Sequence, residues 1–147
     1  MKLLGIAALT ITLLGTGSAW AEPKPFVAVE YRKGIFKAIK WNFGPMGAMV
    51  KGKIDYDAES FRRRAENLAA LSKMPLEGFR PGTYDRATSA LPAIEQDWET
   101  FTKGMAALEE NTAALAEVAK GGDMKAIKPA FVKVARTCKG CHDQFKD

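Results

Sequence analysis

Met124, Ile127, Phe131, Val134, Cys138, Cys141 and Phe145 follow one another at intervals of 3, 4, 3, 4, 3 and 4. An α-helix turns once every 3.6 residues, so this spacing lines all seven along a single seam, the pattern of a helix packed at a shallow angle against neighbours. A strand would throw alternate members to opposite faces. Asp123 is the N-cap expected for this helix, and Pro129 is a local conflict, because it has no N–H for the carbonyl of Lys125.

Three further segments carry the same period, and no strand alternation is sustained anywhere. Over 25–51, Val29, Phe36, Ile39, Phe43 and Met46 share one side, with Gly44-Pro45 predicting a kink or local unwinding. The second segment opens at Asp57 as N-cap, turns Phe61, Ala65, Leu68 and Leu71 inward, and ends before Pro75. The third starts near Ser89, with Pro92 in its first turn. It runs through Leu91, Ile94, Trp98, Phe101, Met105, Leu108 and Leu115, with Thr112 filling one step, to the Gly121-Gly122 stop. Residues 74–88, with Pro75, Gly78, Pro81 and Gly82, form the one long irregular connection. Four amphipathic helices with short links elsewhere predict an all-α antiparallel four-helix bundle.

Residues 1–21 stand apart. Lys2, the apolar run Leu3 to Leu14 and the small residues flanking Trp20 make a signal peptide cleaved after Ala21, and the run is shorter than the ~20 residues of a membrane span. An exported, periplasmic domain over 22–147 is expected. The net charge of +5 includes one lysine of that leader. Basic residues alternate with acids, so nucleic acid is excluded as a partner, and Arg62-Arg63-Arg64 is read as a solvated helix face. With 47% hydrophobic and 27% charged residues the chain is not a disordered one.

The last turns of the seam carry Cys138-Lys139-Gly140-Cys141-His142, a C-x-x-C-H motif. Two thiols three positions apart point to the same side of a helix and can form thioethers with both vinyl groups of one porphyrin. The imidazole that follows sits about 100° further round, where it can reach the iron. A thioredoxin-like disulfide would need a βαβ context, and a zinc site would lack its fourth ligand. One covalently attached haem c on the C-terminal helix is the expected cofactor, wedged between that helix and the others, with His142 as the iron ligand. His142 is the only histidine, so a second protein ligand would have to come mainly from Met46, Met49, Met74, Met105 or Met124.

The terminal C-x-x-C-H and the opening helix, with Tyr31-Arg32-Lys33-Gly34-Ile35-Phe36, Phe43-Gly44 and Val50-Lys51-Gly52, resemble cytochrome c′, the class II cytochromes c. Tyr56-Asp57-Ala58, Gly122-Asp123 and Ala130-Phe131 match as well. The resemblance implies Phe36 over the distal face of the iron and His142 on the proximal face. Arg32, one turn before Phe36, would pair a haem propionate. Lys146 stands on the proximal side, where relatives often carry Arg, a planar fork that Lys lacks. Phe36 has no lone pair, so the resemblance implies a five-coordinate, high-spin iron that binds nitric oxide and carbon monoxide in a homodimer formed through the first two helices. Nitric oxide scavenging, electron transfer with a redox protein, or both would follow. The alternative is a six-coordinate electron carrier with Met46 or another Met on the iron. No distal histidine or acid is placed for O–O cleavage, so no enzymatic activity is expected.

Overall fold

A computed structural model describes residues 23–85 and 87–147; the signal peptide expected over 1–21 lies outside them. The order is α1 (Pro25–Val50), α2 (Ala58–Leu71), a 3-10 turn (Pro75–Gly78), a single-turn α3 (Ala93–Gln96), α4 (Trp98–Lys120) and α5 (Met124–Phe145). No strand forms among the described residues. The four long helices make the expected bundle. α1 packs on α2, α2 on α4, α4 on α5, and α5 returns to α1 over the thinnest of the four seams.

Aspartates start three of the helices. Asp57, Asp97 and Asp123 accept from the backbone N–H groups of Ser60, Thr100 and Lys125, each satisfying a donor that the first helical turn leaves over. Asp97 also corrects the expected third helix. Its backbone departs from helical values (φ −134°, ψ 58°), so Ile94 belongs to the separate turn α3, Leu91 precedes it, and the long helix begins at Trp98.

The local unwinding allowed for at Gly44-Pro45 does not occur, and α1 is continuous to Val50 with Pro45 inside it. Pro45 leaves the carbonyl of Trp41 without its helical donor, and Arg64 of α2 donates to that oxygen at 3.4 Å. Gly44, lacking a Cβ, also avoids the clash that a proline imposes on a helical residue before it. Pro129 is likewise accommodated inside α5, on its exposed side, where water can take the released carbonyl.

The core joins Met46, Phe61, Leu68, Leu115, Ile127 and Val134, all essentially inaccessible. Thr112 does fill its step of the α4 seam. Its hydroxyl donates to the Leu108 carbonyl and shares a hydrogen bond with Ser72 of α2 at 2.9 Å, so this polar pair is buried without an orphan group.

Candidate haem-binding site

A cavity of about 550 Å³ opens at the thin seam between α1 and α5, within the ~300–1,000 Å³ range usual for cofactor sites. α5 contributes Val134, Cys138, Cys141, His142 and Phe145. α1 contributes Arg32, Phe36, Ile39 and Phe43, and Leu68 of α2 joins them. Phe101, Met105 and Leu108 of α4 complete the helical wall, and Phe79 enters from the long connection. The wall is largely hydrocarbon. Charged groups, Lys33, Lys37, Lys40 and Lys146 among them, border it chiefly from the solvent side.

The cysteines are not joined to each other and both face this space. Burial raises both thiols above their usual range, Cys141 further through its neighbour Cys138. Burial also holds the His142 imidazole below its usual range; the Lys146 ammonium pushes the same way and Asp143 opposes. The neutral ring, the form with a lone pair to give a metal, is therefore favoured. Two thiols and one such imidazole on a single stretch of helix, facing an apolar slot with cations at its mouth, fit a flat apolar macrocycle with carboxylates on one edge.

Phe36 is half-buried in the cavity wall, its ring edge-on to Phe79 with centroids 6.1 Å apart. Arg32 is 2% exposed and occupied elsewhere. Nη1 donates to Gly78 O (2.9 Å) and Thr83 Oγ1 (2.6 Å), and Nη2 to Thr83 O (2.5 Å) and Thr88 Oγ1 (3.1 Å). Phe79 and Tyr84 flank the guanidinium at 4.8 and 5.3 Å. The four N–H groups on the terminal nitrogens are thus matched to loop acceptors, leaving only Nε–H for a propionate. Arg32 is the post to which Gly78, Thr83 and Thr88 of the long connection are tied, a role that periodicity and motif did not assign. The signal was present in Phe79 and Tyr84, two large apolar rings inside a stretch otherwise read as a connection.

Lys146 borders the cavity, and its Nζ donates to the Asp147 carbonyl. Its backbone pairs with Ala90 in an antiparallel bridge, reinforced by Leu91 N–H to Phe145 O and Asp147 N–H to Ser89 O. The end of the C-x-x-C-H helix is therefore tied to the segment before α3. Of the methionines in the described residues, Met105 borders the cavity; Met46 lies in the core, outside its wall.

Bundle and site together define a c-type cytochrome built on four helices. A profile of the Cytochrome C' family matches residues 27–146. The chain is 48% identical to cytochrome c prime from Shewanella frigidimarina, whose structure aligns with a TM-score of 0.84 over 86% of this chain and 99% of that one. It is 39% identical over 132 residues to cytochrome c' of Halomonas halodenitrificans, covering 86% and 98% of the two chains. A nitric oxide complex of a variant of cytochrome c prime from Alcaligenes xylosoxidans is 34% identical, with a TM-score of 0.78 over 86% of this chain and 98% of that one. The chain belongs to the cytochrome c′ family, whose cofactor is haem c.

Proposed function

We propose that this cytochrome binds nitric oxide and carbon monoxide on an iron held by one protein ligand, His142, with Cys138 and Cys141 as the thioether anchors. The haem supplies an iron that takes a diatomic molecule on its open face and exchanges one electron. The observation that carries the reading is that Phe36 and Ile39, on the α1 wall inside the cations at the mouth, present carbon and no donor atom. Such a wall gives bound O₂ little hydrogen-bond support, whereas nitric oxide and carbon monoxide need little. Phe36 must swing off Phe79 to admit a ligand, so it acts as a gate. Arg32 orders the 78–88 loop, keeps Nε–H for a propionate, and so shapes the entrance; Lys146 holds a positive charge near the imidazole on the proximal side. The nitric oxide complex of the Alcaligenes relative supports the choice of ligand.

The proposal extends to place and assembly. Cleavage after Ala21 would release the bundle into the periplasm, and no helix among the described residues is long and apolar enough to cross a membrane. Trp41, 76% exposed on α1 beside the Arg64 contact, supports a homodimer through α1 and α2; light scattering at the monomer mass would exclude it.

A six-coordinate His/Met electron carrier is the second reading, and Met105 on the cavity wall is the observation that favours it. The absorption spectrum of the unliganded ferrous protein separates the two. The five-coordinate reading expects a high-spin spectrum that Met105→Leu leaves unchanged. A low-spin spectrum that becomes high-spin in Met105→Leu would replace it.

A further inference from the structure

Charge is unevenly shared among the helices. α1 and α5 hold nine Lys and Arg residues against two acids, Glu30 and Asp143, whereas α4 holds four glutamates against two lysines. Lys33 and Lys139 are paired with Glu30 and Asp143. Lys37, Lys40, Lys128 and Lys133 have no ion-pair partner among the described residues.

The α1–α5 seam of this basic face contains a second, more open cavity of about 700 Å³. Its floor is Phe43, Val50, Phe131 and Val132, and exposed Lys51, Lys53 and Lys128 border it. An apolar centre ringed by like charges has the anatomy of a protein-docking surface, and the ring selects a partner of opposite sign. Phe43 borders both this groove and the haem cavity, and it stacks on Phe131 with centroids 4.4 Å apart. One aromatic pair therefore separates the groove from the cofactor cavity.

We propose that the α1–α5 groove is the docking site of an acidic redox protein that exchanges one electron with the haem across the Phe43–Phe131 partition. In the reducing direction the partner loses one electron and ferric iron becomes ferrous; no bond forms and no proton moves. The inference rests on haem occupying the cavity described above and is independent of the number of iron ligands. Electron-transfer encounters are small and short-lived, generally below ~1,200 Å² of buried surface, so the partner need not engage the whole of this face.

The test is stopped-flow reduction of the ferric holoprotein by reduced flavodoxin, an acidic one-electron donor, with ascorbate as a small-molecule control. The double variant Lys53→Glu/Lys128→Glu should slow the flavodoxin reaction at low salt by about tenfold or more, with the ascorbate rate unchanged. Lys103→Glu/Lys120→Glu, an equal change of charge on α4, should slow it less than about twofold. Equal effects of the two double variants would mean that net charge alone acts, and would overturn the site. So would a groove variant that reacts like the wild type. Pelleting of the wild type with phosphatidylglycerol vesicles, together with flavodoxin rates indifferent to the groove, would assign the face to a membrane and also overturn the proposal. The unliganded ferrous spectrum, which tests the coordination reading, is unaffected by any of these outcomes.

Discussion

Replacing Arg32 with Met removes the post of the 78–88 loop while keeping a long, flexible apolar stem in its place. Hydrogen bonds from a charged donor contribute ~1.5–3 kcal/mol each, so the four in the structure sum to ~6–12 kcal/mol before the cost of burying the guanidinium is set against them. That cost is large, and burial already depresses the Arg32 pKa below its usual value. Breaking one side of such a buried charged network typically costs ~3–5 kcal/mol, because the partners are left unpaired; here they include the carbonyls of Gly78 and Thr83. Flanking by Phe79 and Tyr84 places the loss in the upper half of that range. Unfolding entropy near ~2.1 cal/mol/K per residue, over a folded unit of about 125 residues, converts this to a fall of roughly 15–19 °C in melting temperature. Circular dichroism melts of the holoprotein measure it. Arg32→Lys, which keeps the charge but not the planar fork, should recover less than half of the loss. A fall of under about 4 °C for Arg32→Met would refute the loop-post reasoning, and full recovery in Arg32→Lys would show that charge rather than the hydrogen-bond fork is what matters.

Phe36→Ala removes an edge-on ring contact worth ~0.5–1.5 kcal/mol, so carbon monoxide association should quicken by about twofold to tenfold in stopped-flow mixing; an unchanged rate would remove Phe36 as the gate. Cys138→Ser/Cys141→Ser should abolish the covalent haem adduct in denaturing mass spectrometry, and an adduct that survives would displace the attachment site. Burial raises the pKa of Tyr84, with Arg32 opposing and Glu95 adding to the rise. Its neutral side chain therefore contributes stability that is complete below the unfolded value of about 10 and is lost as pH rises through the higher folded value. Melts from about pH 8 to about pH 11 should fall less steeply in Tyr84→Phe, and equal slopes would contradict the assignment.

The helices of the bundle were legible because burial repeats at 3.6 residues and the caps are local: Asp57 and Asp123 act as their positions predict. That Cys138, Cys141 and His142 share one cavity was legible because their spacing lies within one helix. What escaped the sequence depends on distant pairings. The continuity of α1 through Pro45 involves a donor from Arg64, 23 positions away, and the role of Arg32 depends on Thr83, 51 positions away. Likewise, the tie between Ala90 and Lys146 has no periodic signature, since a single bridge leaves no pattern along the chain. The break at Asp97 was missed for a different reason: Leu91, Ile94 and Trp98 continue the apolar spacing across it, so the period concealed the non-helical backbone at Asp97.

X-ray absorption at the iron edge of the unliganded ferrous holoprotein tests the central claim most directly, because it counts the axial ligands and distinguishes nitrogen from sulfur. Five-fold coordination with one axial nitrogen, lost in His142→Ala, is the predicted result. A sixth shell of sulfur at bonding distance would contradict it and move this chain from the gas binders to the His/Met electron carriers.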